Sequence, residues 1–240
     1  MFHPKGPTFF ELARQALSST ERGYDLLAPK FDFTPFRTPA FVLDAVRERL
    51  SRSDYSSQRA VDFCCGTGAG MQMLLNLGFS HVQGIDFSQG MIEQARKNLK
   101  RDREQQTFDM DFGDVMQPRY DAEFDMAVSF GAFGHILPKQ EKDFIQRVSE
   151  SLKPGGRFVF VTTPMLPMWS PAYWMARGFN AAMHVRNLMI KPKFIMFYLT
   201  FLWPDIKKHF DAAGMTADSQ LLFPNQKRFR YVLLITATKS

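Results

Sequence analysis

Short β-prone apolar runs recur along the chain at 59–64, 81–86, 106–110, 123–130 and 156–162, each bounded by Gly, Asp or Pro. These runs are apolar on both faces, the pattern of strands covered on both sides of a sheet. Between them the spacing becomes helical. From Ser88 to Lys100, Met91, Ile92, Ala95 and Leu99 make one stripe, Ser88 can cap the start, and Lys97 and Lys100 fall toward the end that favours cations. A second helix is predicted from Lys139 to Leu152, after Pro138, with Phe144, Ile145 and Val148 inward and Gly155 and Gly156 beyond its end. Strand, helix, strand at these intervals predicts an α/β fold with a doubly wound parallel sheet and right-handed crossovers. Such sheets bind ligands beyond the carboxyl ends of their strands.

Residues 1–58 hold two further helix patterns, one near Phe9 to Leu17 and one opening at Thr38 and Pro39 and running to Leu50. They read as a helical cap over the sheet. At 240 residues, one α/β domain with an insertion is expected.

Composition narrows the class. With 22% charged and 45% hydrophobic residues the chain has a globular composition. The net charge of +6 favours anionic partners in general, but basic clusters occur only at 96–103 and 227–230, so a solvated face is expected rather than a nucleic-acid surface. The two cysteines, Cys64 and Cys65, are adjacent, which rarely suits disulfide geometry, and no zinc site is implied. The stretch "MFHPKGPTFFELARQ" lacks signal-peptide features, and the longest apolar run, "FIMFYLTFLW" at 194–203, is too short to span a bilayer. A cytoplasmic protein without a metal is the expectation.

Candidate chemistry begins at "VDFCCGTGAG", 61–70. A strand, then Gly66, Thr67 and Gly68, then a helix gives a turn whose backbone N–H groups can approach a ligand, although glycines also serve ordinary tight turns. The dinucleotide fingerprint is not met, because Met71 stands where its third glycine belongs. Asp86 ends the second strand, where a carboxylate can accept both hydroxyls of a ribose or cap the next helix. Asp114, beside Val115, suits an exocyclic amine and a purine face, or a surface turn. Asp62, inside the first strand, requires a cationic or backbone partner if buried.

The segments "AVDFCCGTGAG", "GIDFSQGMIEQAR", "GDV", "FDMAVSFGAFGHI" and "LKPGGRFVF", in this order and spacing, resemble the class I S-adenosylmethionine-dependent methyltransferases. "WPDIKKHFDAAGMTADSQLLF" and "RYVLLITATKS" resemble that family's last helix and closing strands. The resemblance implies a Rossmann-like seven-stranded, mostly parallel sheet ending in an antiparallel hairpin. It divides the chain into a cap (1–58), a cofactor-binding core (59–163), an insertion after the fifth strand (164–204), and the last helix with the hairpin (205–240). It implies that Asp62 and the turn from Cys64 through Gly66 to Gly68 face the methionine portion of S-adenosylmethionine, and that Asp86 holds the ribose. It further implies that Phe87 and Met91 flank the adenine, that Asp114 and Val115 grip its edge, and that Phe130 lies near the sulfonium. The family usually has glycine where Cys64 stands.

Methyl transfer from a sulfonium asks the protein to align a nucleophile, exclude water and remove a proton where there is one. His135 can serve as that base, or can pack or cap the following helix. Pro164 to Pro204 holds all three tryptophans, six methionines and four basic residues, with no acidic one. It reads as a lid over an apolar small-molecule acceptor touched by Trp169, Trp174 and Arg177, as a surface resting on lipid, or as core packing. An RNA or protein methyltransferase and a non-catalytic cofactor-binding regulator are the alternative functions. Against the former, no "NPPY"-like tetrapeptide follows the fourth strand.

Overall fold

The computed structural model of the chain describes residues 3–101, 103–117 and 119–240. Seven strands build one sheet: β1 (Arg59–Phe63), β2 (His81–Asp86), β3 (Thr107–Phe112), β4 (Phe124–Ser129), β5 (Leu152–Thr162), β6 (Met215–Leu221) and β7 (Leu233–Lys239). Their order is β3-β2-β1-β4-β5-β7-β6. The first five pair in parallel, and β7 runs antiparallel to both its neighbours. This is the doubly wound, Rossmann-like methyltransferase architecture, with strand order reversing between β1 and β4.

Strand alternation divides the core. In β1, Ala60 enters one apolar layer while Val61 and Phe63 enter the other. The first layer packs under α3 (Ala40–Leu50) and α4 (Ala69–Leu77), with Val46, Leu74 and Leu75 fully buried. The second packs under α6 (Glu141–Ser151) and α8 (Lys207–Ala212), where Phe144, Ile145 and Val148 are fully buried against Phe158 and Phe210. The helix α5 (Gln89–Asn98) follows Ser88, whose hydroxyl accepts the Met91 N–H.

Some elements differ from the sequence pattern. The third strand runs to Phe112 rather than 110, held by pairing of Asp86 with Phe112. The fifth begins at Leu152, which pairs with Phe124 before a register shift, and Gly155 takes φ +75° to allow it. The cap holds α1 (Phe9–Leu17) and α3, as the pattern predicts, and also α2 (Thr20–Leu27) with a 3-10 helix at Ala28–Phe33. Gly23 is where α2 crosses α1: a side chain there would meet the Gln15 carbonyl at 3.0 Å. After β5, the insertion forms one long helix, α7 (Pro171–Met189), and an irregular stretch to α8. Tyr24, Met91, Met183, Phe194 and Phe197 make a third apolar cluster, which joins the cap, α5 and the insertion above the sheet.

Candidate active site

After β1 the backbone turns through left-handed conformations at Cys64 (φ 58°), Gly66 (φ 52°) and Gly68 (φ 86°). The three glycines of this stretch answer to different neighbours. Nothing lies within 4 Å of where a Gly66 side chain would stand, so that face is open to a ligand. At Gly68 a side chain would press on Ala95 of α5 and on Leu99 just after it at 3.2–3.3 Å. Gly70 backs directly onto the Asp62 carboxylate. Met71, in the place of a third fingerprint glycine, is fully buried.

Beyond the carboxyl ends of β1, β2 and β4 lies a cavity of about 850 Å³, in the range of small-molecule sites. Asp62, Cys64, Gly66, Asp86, Phe87, Met91, Phe130 and His135 line it together. Gly68 does not, its role being the turn and the approach to α5. Asp114 and Val115 are not among the lining residues: the Asp114 carboxylate is exposed and accepts the Met116 N–H at 2.9 Å, while Val115 is buried in the α6-side core. Trp169 and Trp174 are 86% and 65% exposed and, like Arg177, stand outside the cavity lining. The insertion reaches the cavity with other residues, among them Leu166, Ala176, Phe179, Tyr198 and Leu202.

Asp86 is 5% exposed, and both its oxygens are engaged: one accepts the Gly66 N–H at 2.8 Å, the other the Ser88 N–H at 2.9 Å. The carboxylate thus ties the glycine turn to the start of α5. Burial pushes its pKa up to about 6, against the opposing pull of those two N–H groups. Asp62 is raised well above the carboxylate range by burial and by the charge of Asp86, with the Met71 N–H pulling the other way. Two buried carboxylates facing one cavity favour a cationic ligand group between them. The Cys64 thiol is also pushed up, by burial and by Asp86, Asp62 and Asp114.

His135 sits in a 3-10 turn after β4. Its Nδ1 lies 2.5 Å from the Ile195 carbonyl, which can only accept, so Nδ1 carries the proton. Nε2 is then the lone pair, and it accepts from the Tyr24 hydroxyl at 2.8 Å. Burial lowers the His135 pKa, keeping the ring neutral, and raises that of Tyr24, with the charge of Asp86 adding to the rise.

Three cap residues that the sequence pattern does not single out also reach the site. Tyr24 lines the cavity from α2, a helix too short and glycine-broken to show by periodicity. Asp32 accepts from the Thr67 hydroxyl at 2.7 Å and from Asn98 at 3.0 Å, latching the cap to the glycine turn. Arg37 lines the cavity with Nε 3.3 Å from Asp32, yet that nitrogen is buried and makes no hydrogen bond.

Fold, glycine turn and the two buried acidic residues suit a nucleotide-containing ligand, and comparison with known proteins adds to that reading. A "Methyltransferase domain" family model matches residues 60–156. A demethylmenaquinone methyltransferase of Clavibacter sepedonicus is 35% identical over 121 residues, 49% of this chain and 47% of that protein. The chain thus spans about half the length of such curated relatives. A demethylmenaquinone methyltransferase of Halalkalibacterium halodurans is 26% identical over 226 residues, 91% of this chain and 80% of that protein. Among solved structures, magnesium protoporphyrin IX methyltransferase from Synechocystis with bound S-adenosylmethionine shares the fold, with TM-score 0.58, 16% identity and coverage of 98% and 93% of the two chains. Residues 60–156 thus match a methyltransferase domain, and the chain shares the fold of class I S-adenosylmethionine-dependent methyltransferases.

Proposed function

We propose that the protein transfers a methyl group from S-adenosylmethionine to a small apolar acceptor. The observation that carries the acceptor class is the distribution of charge in the cavity. Its charged lining residues are Arg37, Asp62 and Asp86, and all three gather at the glycine turn, through Asp32 and Thr67, Gly70 and Gly66 respectively. The remainder is uncharged apart from His135, whose ring burial keeps neutral, and is largely aromatic, aliphatic and methionine side chains, including Phe130, Phe133, Val161, Phe179, Met196 and Leu202. A charged acceptor would be desolvated there without a partner. The demethylmenaquinone named for the relatives is an apolar acceptor of this kind.

The residues present fit the cofactor. Gly66 leaves an open backbone face, Asp62 and Asp86 place two buried carboxyl groups at one end of the cavity, and the buried Arg37 Nε, paired with Asp32 at 3.3 Å, makes no hydrogen bond, which together match a ligand with a cationic centre, ribose hydroxyls and a carboxylate. In this reading Asp86 uses its remaining lone pairs for the ribose, Asp62 offsets the amino end, Arg37 takes the carboxylate, and Phe87 and Met91 pack on the base. When bound, S-adenosylmethionine supplies an electrophilic methyl group on a sulfonium.

Tyr24 and His135 supply the proton chemistry. An acceptor hydroxyl hydrogen-bonded to the Tyr24 oxygen gives up its proton there as the Tyr24 proton passes to Nε2 of His135, whose Nδ1–H keeps its bond to Ile195. Water is kept from the reacting atoms by the aromatic lining and by the 194–202 stretch.

Two measurements test this function. Titration calorimetry must show S-adenosylmethionine binding, and an untargeted comparison of a deletion strain with its parent must show loss of a methylated apolar compound. A deletion strain that differs only in methylated RNA or protein would replace the apolar acceptor by a polymer.

A further inference from the structure

The helix α7 is largely apolar on its outer side as well as on its inner one. Ala176, Met183 and Asn187 face inward, and the opposite side shows Trp174, Gly178, Ala181, Val185 and Leu188 to solvent, spaced as one helical stripe. Met175, Ala182 and Met189 widen that exposed stripe. At about 100° per residue these eight positions cover an arc of roughly 140°, where a helix exposed to water alone would be polar. Leu188 is 84% exposed and Met175 73%. Arg177 borders the arc on one side and Arg186 on the other, while Lys191 and Lys193 follow the helix. Among the described residues Arg177, Lys191 and Lys193 form no ion pair, and the whole insertion has no acidic side chain to neutralise them. Arg186 is fastened instead to the Ala16 and Ser18 carbonyls, both at 2.8 Å, so the end of α1 is joined to α7.

The cavity opens on the same helix. Ala172 and Met175 are exposed and also line the cavity, and Met175 adjoins Trp174 in the apolar stripe. The Trp174 indole N–H donates to the Met168 carbonyl at 2.8 Å, which pins the loop before α7 beside this mouth. No described helix is long and apolar enough to cross a membrane.

We propose that the outer face of α7 docks on an anionic lipid surface, and that the acceptor enters the cavity from the lipid phase past Met175. The apolar stripe with flanking unpaired cations matches an interfacial helix whose apolar side sinks to the headgroup boundary while its cations meet anionic headgroups. The docking surface stands on α7 alone, whereas the entry route rests on the apolar-acceptor reading above.

The test uses the full chain with vesicles of phosphatidylcholine alone or with added phosphatidylglycerol. Co-sedimentation at low salt is expected to be at least about ten-fold greater with the anionic vesicles, given three free cations near the surface, and to weaken as salt is raised. Tryptophan emission should shift to the blue on binding. The combined variant Trp174→Ser, Val185→Ser, Leu188→Gln should lose binding to both vesicles, and Arg177→Gln with Lys191→Gln and Lys193→Gln should lose the anionic preference. Both variants should keep S-adenosylmethionine affinity, since none of these residues lines the cavity. Absence of binding to either vesicle would overturn the docking surface, as would a dimer in light scattering that the Trp174, Val185, Leu188 variant dissolves, which would make a second copy the occupant. A protein that binds vesicles but not S-adenosylmethionine would sink the proposed function and leave the docking surface intact.

Discussion

The Tyr24 hydroxyl donates to Nε2 of His135 at 2.8 Å, across an edge-to-face ring pair with centroids 5.0 Å apart. One residue belongs to the cap and the other to the turn after β4, so the packing of the cap on that turn brings the pair together. Because the Ile195 carbonyl fixes the tautomer, Nε2 is available only as an acceptor. Removing either partner should therefore impair proton removal while leaving the cofactor in place. Tyr24→Phe and His135→Gln are each expected to lower kcat by about 10²- to 10⁴-fold, with S-adenosylmethionine affinity within two-fold of wild type by calorimetry. The double variant should be little worse than either single one, because the two act as a unit; multiplicative losses would show independent roles.

Cofactor affinity should depend on pH through Asp86. Its folded pKa of about 6 lies above the ordinary 3.8, so the folded apoprotein holds a proton that the unfolded chain has released. Stability from this group is full below about pH 4 and is lost as pH rises to about 6, a change of about 3 kcal/mol at most. Ribose hydroxyls and a cationic centre favour the ionised form and reverse the loss. Binding should strengthen as pH rises through about 6 and release protons near that pH, seen as a buffer-dependent enthalpy. Asp86→Asn should abolish the proton release; its persistence would assign the release to Asp62.

Arg37 should report the carboxylate of the ligand. Arg37→Ala is expected to weaken S-adenosylmethionine by about 1.5–3 kcal/mol, as for a lost charge-assisted hydrogen bond. The same variant should bind the decarboxylated analogue as wild type does. Equal losses for both ligands would mean that Arg37 acts by holding Asp32 and the glycine turn.

Cys64 has a side chain at φ 58°, where residues other than glycine are strained by about 1–2 kcal/mol. Cys64→Gly should be at least as stable as wild type in thermal unfolding, the relieved strain offsetting the greater unfolded-state entropy. Cys64→Val should be less stable, since a β-branched residue tolerates that conformation poorly.

Much of the sheet and of the glycine-turn end of the cavity was legible in the sequence, because each depends on neighbours in the chain. Strand runs covered on both faces, the Ser88 cap and the Gly66–Asp86 spacing are local patterns that the fold preserves. Tyr24 was not legible, since its partner is set by how α2 lies on the turn after β4. Nor was Arg37, which acquires meaning only beside Asp32 and Thr67. The tryptophans Trp169 and Trp174 drew attention by type, but type does not decide which face of α7 turns inward. That choice follows from packing of Ala176, Phe179 and Met183 over the cavity and the third cluster.

Transfer of label tests the central claim most directly. S-adenosylmethionine carrying tritium in its methyl group is incubated, in excess enzyme, with an apolar lipid extract from cells lacking the protein. The account predicts that the label moves into the organic phase with wild-type protein, slowly with Tyr24→Phe, and not in the absence of extract. Label that binds to the protein yet stays on the cofactor, or that appears only in precipitated RNA or protein, would contradict it.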